Sequence, residues 1–187
     1  MNYCRSYLRG GRSYVTNIFH YSYTISMRTL KYDRTKVYEY AKKWAFGRNP
    51  VFYDFENIGG DCTNFASQCI YAGAGVMNYT PVMGWFYKSV NDRTPSWTGV
   101  QYLYNFLIGN DSVGPFAEET SLDKLEVGDI VQLGRATGDF YHSPVVIGID
   151  RGKIFIAAHS YDAFNRPLDS YNFEQARGIH ILGVRTY

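Results

Sequence analysis

The hydrophobic period changes partway along the chain, and this limits the folds open to it. In residues 33–46, "DRTKVYEYAKKWAF", Val37, Tyr40, Ala41, Trp44 and Ala45 recur at helical spacing. Asp33 stands where an N-cap belongs, and Gly47 ends the helix ahead of Asn49-Pro50. A second helix is expected from Asp61 or Cys62 to about Tyr71, with Phe65, Cys69 and Ala72 on its apolar face and Gly73 and Gly75 stopping it. "VQYLYNFLIG" gives a third helix through Val100, Leu103, Tyr104 and Leu107. From residue 128 onward the runs are short and β-rich: "GDIVQLG" (128–134), "SPVVIGID" (143–150), "GKIFIAAHS" (152–160) and "GIHILGVRTY" (178–187). Asp150-Arg151-Gly152 reads as a tight turn, so 143–150 and 152–160 should form a hairpin. Helices first and a strand meander second predict an α+β fold, N-terminal helices packed on a C-terminal antiparallel sheet.

The length, 187 residues, suits one domain with a single core, and no repeat or linker interrupts 33–187. Residues 1–31 differ in character and are expected to be a weakly structured basic extension to a domain spanning 32–187. They carry Arg5, Arg9, Arg12, Arg28 and Lys31 and no acid. Polar groups interrupt "SYVTNIFHYSYTISM", so the apolar middle of an export signal is missing, although partial alternation there suits a short strand. No apolar run is long enough to span a bilayer. The expectation is a cytoplasmic protein by default, cell-wall-associated if another route exports it. A net charge of +2 is too balanced to argue for nucleic acid or a membrane surface as partner.

The cysteines Cys4, Cys62 and Cys69 make no disulfide framework, and no CxxC pair or Cys/His cluster suggests a metal. Helical residues 62–69 would span about 10 Å, too far for a disulfide, so Cys62 is expected to be a free thiol. It opens a helix in "GGDCTNFASQC" (59–69). A helix N-terminus offers unpaired N–H groups and partial positive charge, which lower a thiol pKa and can receive an oxyanion. Asp61 suits the N-cap, and Gly59-Gly60 allow a sharp entry and close substrate approach. Taken alone, the stretch serves a small buried residue equally well. A nucleophile needs a base, and the base needs an orienting group. His142, in "DFYHSPVVIGID", sits at a strand entry, and the expected hairpin brings His159, in "IFIAAHSYD", to the same end. His159, or Asp162 just beyond, would then orient the His142 ring. His20 and His180 have no such setting.

The segments "YDRTKVYEYAKKWAFGRNP", "GGDCTNFASQC", "SWTGVQYLYNFL", "GDIVQL", "HSPVVIG" and "AAHSYDAFNRPL" resemble the putative amidase domain of bacterial proteins. That family is a branch of the papain-like cysteine peptidases, related to NlpC-type and CHAP cell-wall hydrolases. The resemblance covers 32–187. It implies a papain-like fold, Cys62 as nucleophile, His142 as base, a polar third residue matched best by His159 with Asp162 as alternative, and no cofactor. Papain-like enzymes usually carry a glutamine before the cysteine as oxyanion donor. Here "YDFENIGGDC" has Glu56 and Asn57 instead, leaving Tyr53 or the Cys62 N–H for that role and Asp61 to position the helix entry. The implied activity is hydrolysis of amide bonds in peptides or peptidoglycan through a thioester. A non-catalytic cell-wall or peptide-binding module and an acyltransferase are the competing readings. Trp85, Phe86, Tyr87 and Trp97 either line the groove or cap the core, Trp97 suiting the core better.

Overall fold

The computed structural model describes residues 26–187. The expected extension therefore lies mostly outside the described residues. Its last part does not: strand β1 (Arg28–Leu30) is hydrogen-bonded to the end of the chain, Arg28 opposite Thr186. Helix α1 (Arg34–Trp44) follows, with the Asp33 side chain accepting from the Lys36 N–H at 3.1 Å as its N-cap.

Helix α2 (Cys62–Ala74) runs beyond Gly73, which does not stop it as expected. Gly75 does, in the left-handed conformation at φ 66°. Gly73 instead allows close packing: a Cβ there would come within 2.6 Å of the Val37 side chain and 2.7 Å of Tyr32, so α1 and α2 meet only because it has none. A small hairpin, β2 (Tyr87–Ser89) and β3 (Asp92–Arg93), leads to a single helical turn, α3 (Pro95–Thr98), and to α4 (Val100–Gly109).

The remaining strands are β4 (Gly114–Thr120), β5 (Ile130–Gly134), β6 (Phe140–His142), β7 (Val145–Asp150), β8 (Lys153–Ala158), β9 (Ala163–Pro167) and β10 (Gln175–Thr186). With β1 they form an antiparallel eight-stranded sheet in the order β1-β10-β5-β7-β8-β9, with β4 added on β10 and β6 on β5. The architecture is α+β with a curled sheet, and β7 and β8 form the expected hairpin, Val145 opposite Ala157. Long β10 pairs with β5, β4 and β1 in succession, with a register shift between Ile181 and Gly183.

Alternate residues of the central strands feed two cores. Ile130, Val145, Ala157 and Ile179 pack with the helices, while Val131, Val146, Ile156 and Ala158 form a second cluster with Leu125 and Leu168. Burial on both faces explains the nearly continuous apolar runs of β7 and β8. Trp85, Phe86, Tyr87 and Trp97 all belong to the helix-side core, and none of them lines the Cys62 hollow. The indole N–H groups are satisfied inside it, Trp97 by Asn64 Oδ1 at 2.9 Å and Trp85 by Ser67 Oγ at 3.1 Å.

One buried carboxylate fastens α1 to the sheet. Asp129 accepts from the Arg34 guanidinium at 2.7 Å, from the Ile181 N–H at 3.0 Å and from the Glu126 N–H at 2.8 Å. His180 Nδ1 lies 2.7 Å from its second oxygen, so this histidine has a structural partner far from the thiol. Asp129→Ala strands Arg34 beside the core and should lower stability by about 3–5 kcal/mol in a denaturant titration. Glu126→Ala, which removes only the exposed partner of Arg34, should cost less than about 1 kcal/mol.

Candidate active site

Two glycines set the entry to α2. Gly59 and Gly60 have φ of 96° and 100°, values an L-residue rarely adopts, and they turn the chain sharply into Cys62. Asp61 occupies the N-cap position, but its side chain makes no capping hydrogen bond. It turns into the protein and is wholly buried. One carboxylate oxygen accepts from the Phe55 N–H at 2.9 Å and from the Asn64 amide at 2.8 Å; the other meets His159 Nδ1 at 2.5 Å. The more crowded alternative explains the departure from a simple cap: three donors inside the core compete with the first-turn amides and win. Those amides are therefore left uncapped by Asp61.

Cys62 and His142 come together as expected. Both line a hollow of about 320 Å³ with Gly59, Gly60, Tyr141, Ser160 and Tyr171 at its walls. His142 is the last residue of β6, opposite Leu133 of β5, and the Pro144 carbonyl accepts from the Val131 N–H at 3.0 Å as the chain passes into β7, so the imidazole is held beside β5. A polar relay sets the register of helix against sheet: Thr63 Oγ1 lies 3.4 Å from Ser143 Oγ, which accepts from the Gln132 amide at 3.2 Å. The Cys62 thiol lies 4.0 Å from the Tyr141 carbonyl and 3.8 Å from Thr63 Oγ1. A larger hollow of about 480 Å³ lies beside α4, between Asn78, Met83, Tyr102 and Asp111, and holds neither thiol nor imidazole.

The expected third residues are placed elsewhere. His159 is buried with both ring nitrogens engaged, Nδ1 with Asp61 and Nε2 with the Trp44 carbonyl at 2.9 Å, and its ring stacks on Phe65 at 4.0 Å. No hydrogen bond joins it to His142. The hairpin register does bring the two histidines to one end of the sheet, but His159 points to the α1–α2 side and serves the helix entry. Asp162 holds Arg48 in a two-pronged ion pair at 2.9 and 3.0 Å. Tyr53 is outside the hollow: its ring packs edge-on to Phe55, and its carbonyl accepts from Asn64 at 3.0 Å.

Sequence reasoning missed Ser160 and its loop. Ser160 Oγ accepts from the Asp61 N–H at 2.8 Å and donates to Glu56 at 3.0 Å. Ser160 and Tyr161 both adopt positive φ, 60° and 76°, an unfavourable pair for non-glycine residues. The result is a Tyr161 ring 86% exposed at the rim of the hollow. The signal available was weak, since "HSYD" carries no glycine to mark such a turn.

The profile of a family described as a putative amidase domain matches residues 31–182. The chain belongs to that family. The uncharacterized protein YhbB of Bacillus subtilis (strain 168) is 32% identical over 141 residues, 73% of this chain and 44% of YhbB. The chain thus spans less than half of that relative's length. No solved structure matches the chain. The putative amidase domain points to amide hydrolysis in general. Among the described residues, no group of three or more His, Cys, Asp and Glu side chains is placed to hold a metal ion, and no helix is long and apolar enough to cross a membrane.

The resting charge state of this amidase-family site differs from the expectation of a depressed thiol. Burial pushes the Cys62 thiol above its ordinary value, and it outweighs the opposing hydrogen bonds from Thr63 and from the Ser143 and Thr63 N–H groups. Burial, with help from the positive charge of Arg166, lowers His142 to about 4. Thiol and imidazole are therefore both neutral at pH 7. Iodoacetamide should modify Cys62 ahead of the sealed Cys69, with a Cys62 rate that keeps climbing as pH passes the usual thiol range. A rate plateau already reached at pH 6 would instead reveal a preformed thiolate. Asp61→Ala should cost about 3–5 kcal/mol, since it leaves buried donors of Phe55, Asn64 and His159 without an acceptor, and should blur the preference for Cys62 over Cys69 in the same labelling assay.

Proposed function

We propose that the chain is a cysteine-dependent amidase or peptidase of papain-like design, acting on amide bonds in peptides or peptidoglycan. The observation that carries this is the shared hollow: a free thiol at the first residue of a helix and an imidazole at the last residue of a strand. The papain-like assignment rests on that arrangement of nucleophile helix and base strand, together with the family membership. The cysteine peptidase and cell-wall readings extend the family's general amide chemistry to this site.

In this reading the Cys62 thiol attacks the substrate carbonyl as His142 takes its proton. Because both groups start neutral, proton transfer accompanies attack rather than preceding it. The oxyanion falls beside the first-turn N–H groups of α2, the Cys62 N–H foremost, which Asp61 leaves uncapped. His142 then protonates the leaving amine, and water attacks the resulting thioester with the imidazole again as base. The exposed rings of Tyr141 and Tyr161 beside the hollow offer flat apolar faces with polar tips, a surface suited to peptide or sugar groups.

Mass spectrometry of peptidoglycan fragments and peptides, after incubation with wild type and with Cys62→Ala, tests the proposal. Wild type should release an amine and a carboxylate from one amide bond, and Cys62→Ala should release none while still binding the fragments. Fragments bound by wild type but never cut, under reducing conditions and across pH 5 to 9, would make the domain a binding module. The pH profile is a second check. The imidazole is a base only when neutral, so kcat/KM should fall on acidification near pH 4, where His142 takes up its proton, and not near the 6.5 of an ordinary histidine.

A further inference from the structure

The base of the proposed reaction lacks an orienting partner at the positions the sequence suggested, and the structure offers another. Among the described residues, His142 Nε2 and Tyr171 Oη are both buried polar atoms without a hydrogen-bond partner. Buried polar atoms are seldom left unpaired, and two on neighbouring side chains are a stronger sign than either alone. The two rings lie 5.6 Å apart at 34° in the wall of the Cys62 hollow.

The side of the imidazole matters. Nε2 is sealed from solvent and unpaired, so in the proposed reaction Nδ1 takes the part of base toward the thiol. To act as base, Nδ1 must carry its lone pair, which puts the ring proton on Nε2 and calls for an acceptor there. His159 and Asp162 are committed to Asp61, Trp44 and Arg48. We propose that Tyr171 is the positioning residue of this site: its hydroxyl accepts the Nε2 proton of His142, after a small swing of the side chain or through one bridging water, and fixes the tautomer that presents Nδ1 to Cys62. This rests on the cysteine amidase reading for its catalytic meaning, but not for its geometry. Arg166 holds the tyrosine in place, with its guanidinium carbon 4.0 Å from the ring centre and its Nε donating to Ser170 Oγ at 2.9 Å. A neutral acceptor also fits a neutral imidazole, since a carboxylate in its place would favour the charged ring.

The test uses the full chain labelled with 15N in its histidine rings, with the His142 signals assigned by their loss in His142→Gln. Wild type should show His142 as the Nε2–H tautomer. Tyr171→Phe, which keeps the ring and removes only the hydroxyl, should turn this into a mixture of both tautomers. It should also lower kcat roughly 10- to 100-fold with KM little changed. Unchanged imidazole shifts or unchanged kcat in Tyr171→Phe, or a wild-type ring protonated at Nδ1, would overturn the assignment. The two readings fail separately. Cleavage that survives Cys62→Ala removes the cysteine mechanism, while the imidazole spectra still report on Tyr171.

Discussion

A single buried carboxylate, that of Asp61, holds the parts of the site together. It sits between the loop carrying Phe55, the first turn of α2 and the end of β8, and each contributes a donor to it. Through His159 the link reaches the Trp44 carbonyl at the end of α1. Three segments thus meet at one anion, and α1 is joined to it through His159. Burying that charge is costly unless every lone pair is used, and here the surrounding donors use them. The glycine turn before Cys62 and the strained Ser160-Tyr161 turn opposite it are both attached to this residue, the second through the Asp61 N–H to Ser160. The position of Cys62 is therefore a consequence of core hydrogen bonding rather than of the helix alone.

Asp129 plays a parallel part on the other side of α1, gathering Arg34, His180 and two backbone amides. The two anions fix the two ends of α1 against the sheet, one at Arg34 and one beyond Trp44. The thiol and the imidazole, one carried on α2 and the other on β6, line one hollow without a hydrogen bond between them. Their placement is set by framework contacts such as Thr63–Ser143–Gln132, so neither the thiol nor the imidazole spends its hydrogen-bonding capacity on holding the fold.

Much of this was legible in the sequence. The change of period marked α1, α2, α4 and the β7–β8 hairpin, because amphipathic helices and doubly buried strands leave distinct patterns. The pairing of Cys62 with His142 followed from a cysteine at a helix start and a histidine at a strand start. What stayed hidden depended on long-range partners. Strand β9, "AFNRP", contains a proline and an asparagine at positive φ and has little apolar alternation. Strand β4, "GPFAEET", is held by β10 rather than by its own pattern. The role of His159 turned on which way a fully buried ring points, and only the competition between Asp61 and His142 for its nitrogen decides that. Tyr171 offered no signal at all: it is one tyrosine among 18, and its significance lies in an unfilled hydrogen bond on a ring 29 residues earlier.

The neutral resting state of the Cys62 thiol bears on how the protein survives outside its reaction. Thiolates attack peroxide and disulfides, and a sulfur held as S–H within a wall of protein is a poor nucleophile toward either. A cysteine at a helix start would ordinarily be the first casualty of an oxidising medium. Here burial suppresses the anion. The same feature that slows its alkylation makes the thiol chemically durable.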